Sequence, residues 1–171
     1  MVCYFLFSNI DDTYENMVNE FYANAISKGE GLKCWVRGKS FLVTPVYLAE
    51  ILRINWLIFI NPSVYDELNP DEEVLQEALG NNLEFSSNGK SVSVASLSFE
   101  LRLLMMIMFS NLYPLSSTGY MNLSRALFLH DLITNEEIDV CSHIFHILAK
   151  TIERTALRNC LPFCYLISRI L

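Results

Sequence analysis

The side chains best suited to chemistry lie toward the C-terminal end of the chain. Cys141-Ser142-His143-Ile144-Phe145-His146 is followed by Cys160 and Cys164. Cysteine and histidine are the usual zinc ligands, and a structural zinc needs four of them in a tetrahedron. His143 and His146 are three residues apart, so on a helix they share a face. Cys141 points with Ile144 and Phe145, about 160° from His143 around a 3.6-residue turn. The spacing fits no standard zinc module. The pattern predicts two surface histidines, core cysteines and no bound metal. A thiolate nucleophile is the other chemistry within reach. Cys34, Cys160 or Cys164 paired with a histidine would supply it, but no local motif marks such a pair. These cysteines read as inert, buried thiols.

The remaining signatures of catalysis are missing from the sequence. There is no Gly-x-Ser-x-Gly elbow, no Gly-x-x-x-x-Gly-Lys-Ser/Thr phosphate loop and no Gly-x-Gly-x-x-Gly dinucleotide turn. Asp11-Asp12 and Asp71-Glu72-Glu73 are acids at helix starts, where the helix dipole favours them. Met105, Met106 and Met108 are flexible enough for an adaptable binding face. On so apolar a helix they read as core. No catalytic, cofactor-binding or metal residue is assigned, and no cofactor or small-molecule ligand is expected.

Ser96 to Pro114 is the stretch that organises the elements. Leu97, Leu101, Leu104, Met105, Met108, Phe109 and Leu112 recur at helical spacing. Leu103, Met106 and Ile107 make the stretch apolar nearly all round, which predicts a buried central helix with Leu104 inward. Ser96 is the expected cap and Pro114 the stop. Asp12-Thr13-Tyr14-Glu15 reads as a capping box. It opens a helix with Tyr14, Met17, Val18, Phe21, Tyr22 and Ala25 on its apolar face, ended by Gly29. Around Gly38 the period changes to two, predicting a β-hairpin of Cys34-Trp35-Val36 with Phe41-Leu42-Val43. Thr44-Pro45 starts a helix that fades near Arg53. Ile54 to Ile60 is an apolar run whose state periodicity leaves open.

Asn69-Pro70-Asp71-Glu72-Glu73 starts a surface helix that Gly80 stops. Leu83-Phe85 with Val92-Val94 is an alternative second hairpin, with Asn88-Gly89 as its turn. Tyr120 to Thr134 reads as a helix with Leu123, Ala126, Leu127, His130 and Ile133 inward. Ile138 to Arg154 reads as another, with Cys141, Ile144, Phe145, Leu148 and Ile152 inward. Leu161-Pro162 begins a last helical segment that runs to Leu171, as in a truncated reading frame. The fold class expected is mainly α: a single-domain helical bundle around a central apolar helix, with one small β-hairpin at Cys34 to Val43.

Composition sets the outer bounds. The 171 residues fit one domain, and 52% hydrophobic content is ample for a core. Mean hydropathy of +0.29 raises the question of a membrane span, which takes about 20 apolar residues in a row. Arg102, Asn61-Pro62 and Arg169 interrupt the three apolar runs too early, so no span is expected. The first residues lack the basic and apolar regions of a signal peptide. Five cysteines without such a leader fit an intracellular, reduced protein. Net charge is −7, and the twelve Lys and Arg form no run. That opposes direct binding to a phosphate backbone, which needs clustered cations.

Six blocks, in order, resemble one family. Asn16 to Asn24 is similar to the Glu-Phe-Tyr-Ala-Asn opening of the putative plant transposon protein domain, found in plant LTR-retrotransposon reading frames of Athila/gypsy-like kind. Val36-Arg37-Gly38-Lys39 through Thr44-Pro45 resembles its Val-Arg-Gly block. Leu112-Tyr113-Pro114-Leu115-Ser116, Ser124-Arg125-Ala126-Leu127-Phe128-Leu129, Ile138-Asp139-Val140 and Leu161-Pro162-Phe163-Cys164-Tyr165-Leu166-Ile167 resemble later blocks. His130, Cys141 and the order of Pro162-Phe163 depart from the pattern, as in a decaying copy. The likeness spans roughly residues 13–171, with residues 1–12 as an extension. It brings no catalytic residue with it.

What the resemblance implies is a non-enzymatic, retrotransposon-derived helical domain, a relic or a Gag-like module working by self-association or a protein partner. Leu161 to Leu171, with little polar cover, either leaves an exposed contact patch or folds back into the core. An element enzyme would need Asp-Thr/Ser-Gly, Tyr-x-Asp-Asp or His-His-Cys-Cys with spaced acids, all missing from the sequence. The alternative is a nucleic-acid-associated module of a mobile element. It would show a basic face or a Cys-x-x-Cys-x-x-x-x-His-x-x-x-x-Cys knuckle.

Overall fold

A period of two runs through Leu32, Cys34 and Val36, all buried, with Lys33 and Trp35 between them half-exposed. It sets up a sheet that shows one face to a helix and the other to water. The computed structural model describes residues 14–54, 70–112, 119–134, 136, 138–153 and 161–171. The chain divides into two units, residues 1–56 with 140–171, and residues 57–139.

In the first unit, α1 (Glu15–Asn24) is followed by β1 (Ile26–Lys28), β2 (Gly31–Val36) and β3 (Lys39–Val43). The strands form an antiparallel meander in the order β1-β2-β3. Gly29 does not cap a helix; its φ of 61° makes the turn from β1 to β2. Arg37 and Gly38, at φ 51° and 75°, make the next turn. Two successive positive φ angles give a type I′ turn, whose twist matches that of the strands it joins. Thr44 caps α2 (Pro45–Leu52) by accepting from the Tyr47 N–H, as the Thr-Pro pair predicts. α2 packs on α6 (Val140–Glu153), and α1 packs on β2 and on α7 (Cys164–Ile170). Phe21, fully buried on α1, meets Tyr22 edge-on and stacks with Phe41. The Tyr22 hydroxyl donates to the Pro162 carbonyl, which ties α1 to the chain leading into α7.

In the second unit, α3 (Glu72–Leu79) packs on α5 (Leu123–Thr134). β4 (Ser91–Ser93) pairs with β5 (Tyr120–Asn122) in a two-stranded sheet. Asp71 caps α3 by accepting from the Glu73 N–H, and Gly80 ends it. Asn88-Gly89 makes the turn expected of it: Asn88 Oδ1 accepts from the Lys90 N–H, and the Gly89 N–H donates to Ser86. α4 (Phe99–Asn111) has Ser98 as its cap, through the Leu101 N–H. Ser96 instead donates to the Ser93 carbonyl and accepts from the Glu84 N–H.

The mainly-α expectation with a single hairpin is therefore corrected. Seven α-helices stand beside two antiparallel sheets among the described residues, a mixed α/β fold. Three strands account for the difference. β1 and β4 are three residues long, too short to show a period, and β5 takes the first turn expected of α5. The second hairpin is short: Phe85 pairs with Val92, the Ser86 N–H donates to the Ser91 carbonyl and the Ser93 N–H to the Glu84 carbonyl, while Val92 pairs with Met121 on its other edge. α4 is corrected as well. Met105, Met108, Phe109 and Leu112 are buried, but Phe99, Leu103 and Met106 are exposed, and Leu104 is only half-buried. It is a one-sided helix, not a central one. The segment Asn55 to Ile60, Asn61-Pro62, Asp12 and Pro114 lie outside the described residues.

The two faces of α4 should differ in stability measurements. Met105 is 1% exposed and Phe99 70%. Met105→Ala should cost about 2–5 kcal/mol through lost burial and the cavity left behind. Phe99→Ala should shift stability by no more than about 0.5 kcal/mol. Urea midpoints of both variants decide it, and similar losses at the two sites would contradict this orientation.

Candidate functional site

Cys160 aside, the candidate ligands named from sequence lie among the described residues. Among the described residues no group of three or more His, Cys, Asp and Glu side chains is placed to share a metal ion. Cys141 and His143 are both buried, and His146 is half-exposed. The expectation of two surface histidines is thus wrong for His143. Its stripe neighbours Val140 and Ile147 are apolar, and that second stripe is the signal that α6 is covered on more than one side. Cys160 lies outside the described residues. Cys164 is half-buried, and its thiol donates to the Leu161 carbonyl at 3.1 Å. His130 is half-buried, with Nδ1 2.9 Å from Asp131 Oδ1.

Cys34 sits on the inner face of β2, fully buried, its thiol donating to the Leu32 carbonyl. Burial disfavours the thiolate and pushes its pKa from 9.0 up to about 12. A nucleophile needs the opposite shift.

Three exposed surfaces stand out among the described residues. The first is the outer face of the three-stranded sheet. Register places Ile26 opposite Lys33, and Lys33 opposite Leu42, in one row across the strands. Ile26 and Leu42 are 51% and 50% exposed. Leu42 leans over Gly31, where its methyl group occupies the space a Cβ would need. Lys33 lies 4.6 Å from the ring centre of Trp35, a cation–π contact on the same face. Arg37 is held to one side: its N–H donates to Glu20 at 2.9 Å, and its guanidinium is 3.8 Å from that carboxylate.

The second surface is the exposed side of α3. Asp71, Glu72, Glu73, Val74 and Glu77 are all exposed there. Residues 70–84 hold five Asp or Glu and no Lys or Arg, while residues 26–43 hold four Lys or Arg and one Glu. The same contrast holds for whole units. The first has nine Lys and Arg against seven Asp and Glu, net +2; the second has three against twelve, net −9. Cations that form no run in sequence are therefore gathered by the fold. A third surface is the apolar row Phe99, Leu103 and Met106 on α4.

In the C-terminal segment Leu166 and Ile167 are buried in α7, Leu161, Phe163, Ile170 and Leu171 are half-buried, and Tyr165 is exposed. No helix of the described residues is long and apolar enough to cross a membrane.

In the comparison with known families, the putative plant retrotransposon-related domain matches residues 3–171. No curated protein and no solved structure matches the chain.

The Cys34 environment sets a pH dependence. Below pH 9 the folded and unfolded chains both keep the proton, so stability does not depend on this group. Between about pH 9 and 12 the unfolded chain releases it and the folded chain retains it. Stability should fall as pH rises through that window, by up to about 1.4 kcal/mol per pH unit from Cys34. Urea titrations at several alkaline pH values should show a shallower decline in Cys34→Ala than in the parent chain. At pH 8 a thiol reagent should modify Cys34 only as the chain unfolds; rapid native labelling would contradict its burial.

Proposed function

The chain belongs to the putative plant retrotransposon-related domain family, and on that footing we propose that it is a non-enzymatic structural module of a mobile element. It works through protein–protein contacts, self-association of a Gag-like kind first among them. The observation that carries this reading is the placement of large apolar side chains in exposed rows on regular elements. Ile26 and Leu42 lie on the sheet, and Phe99, Leu103 and Met106 on α4. Exposed apolar patches are a mark of contact surfaces. Among the described residues, by contrast, the thiols are buried or half-buried, and Cys34 is held as the unreactive thiol. The unoxidised Cys34 thiol suits a reducing, intracellular compartment.

A nucleic-acid-associated role is the second reading, favoured by the lysines of the sheet. The overall charge of −7 opposes it, because a polyanion would be repelled by most of the chain. No membrane or small-molecule partner enters either reading.

Light scattering over a concentration series tests the proposal. At tens of micromolar (about the range where weak self-contacts of roughly −6 kcal/mol become populated) the mass should exceed the 19.7 kDa of one chain and rise with concentration. A single-chain mass throughout would overturn self-association.

A further inference from the structure

We propose that the outer face of the three-stranded sheet docks the acidic side of α3 from a second copy of this chain, so that copies associate head to tail. The inference rests on the self-association reading above and names the surfaces that perform it.

The sheet face offers a defined chemistry. Alternation along the strands puts Ile26, Lys28, Lys33, Trp35, Ser40 and Leu42 on that side, and none of them is a carboxylate. Two ammonium groups thus sit beside exposed aliphatic side chains. A matching surface needs carboxylates spaced around an apolar contact. α3 provides this with Glu73 and Glu77, one turn apart, and Val74, 45% exposed, next to them. Like charges at i and i+4 repel on an isolated helix, so Glu73 and Glu77 gain from a cation brought between them. The sheet's lysines can supply it. Lys33 is already steadied over Trp35, which lowers the rotamer entropy that docking must remove.

A phosphate backbone fits the sheet face less well. It would engage Lys28 and Lys33 but leave Ile26 and Leu42 wet, and the chain as a whole carries −7. A second copy satisfies both halves of the face.

The docking surface and its complement are different patches of one chain. Such a contact is heterologous, so each copy keeps one free end, and association continues into rings or open chains. A self-complementary contact would stop at a dimer.

The test uses two charge-reversed variants, Lys28→Glu/Lys33→Glu and Glu73→Lys/Glu77→Lys. Each retains one of the two surfaces. The wild type should scatter as a series beyond dimer, and its mass should drop when salt is raised to about 0.5 M, as screening predicts. Each variant alone should fall to single-chain mass with an unchanged far-ultraviolet dichroism spectrum. An equimolar mixture of the two should associate again, since the unchanged sheet of one variant meets the unchanged α3 of the other and the two reversed surfaces are complementary as well. Wild-type association that neither variant weakens, or a mixture that stays monomeric, would overturn the head-to-tail contact and leave the broader reading intact. A monomeric wild type would overturn both. A single-stranded thymidine oligonucleotide that binds the wild type at physiological salt, with binding lost only in the lysine variant, would reassign the face to a polyanion and also overturn the proposal.

Discussion

The first unit depends on the packing of α1 against the inner face of the sheet. Phe21 is the centre of that contact, with no exposed surface and rings of Tyr22 and Phe41 beside it. Burying a phenylalanine contributes about 1.5–3 kcal/mol relative to leaving it in water. Tyr22 extends the same contact by donating to Pro162, 140 residues on. One helix thus holds a sheet on one side and the last helix on the other. Because α1 covers only one face, the other face of the sheet is left to water or a partner. The surface features of this unit follow from that one-sided cover.

Local signals were legible where one residue type decides a backbone state. Gly38 at positive φ, Thr44-Pro45 at a helix start, Gly80 at a helix end and Asn88-Gly89 at a turn are all found where the chain predicts them. Periodicity failed where it lacked length or contrast. β1 has three residues, all exposed, and offers no alternation to read. β5 is recruited by β4, about 30 residues earlier in the chain, through pairing that no local pattern encodes. α4 has the reverse problem. So many of its residues are apolar that the buried side cannot be picked out, and Phe99 and Met106 look no different from Met105.

Charge is the second property that the linear chain conceals. Averaged, the sequence is acidic, and its cations form no run. Antiparallel pairing changes their distances. Lys28 and Lys33 flank one short turn, and Lys39 stands at the start of the neighbouring strand. Meanwhile α3 collects carboxylates because its first turn favours them: the peptide dipoles point their positive end there. By sequence the first unit carries net +2 and the second net −9. Argument from net charge alone would treat such a chain as uniformly repelled by anything acidic, including itself.

The sheet face also shows why no motif marks a surface of this kind. Ile26, Lys33 and Leu42 are separated by seven and nine residues in sequence, and only register makes them one row. Register is in turn set by the turns. With Arg37 and Gly38 both at positive φ, the β2–β3 connection is limited to two residues, and Trp35 must face Ser40. A slip of one residue would carry Lys33 and Trp35 to the inner face and expel Leu32 and Cys34 to water. The apolar contact with α1 forbids that slip, since Leu32, Cys34 and Val43 are buried under it. The same burial that makes Cys34 useless as a nucleophile therefore fixes which side chains the sheet presents outward. In this fold the buried residues of the sheet hold the register that builds its outer surface.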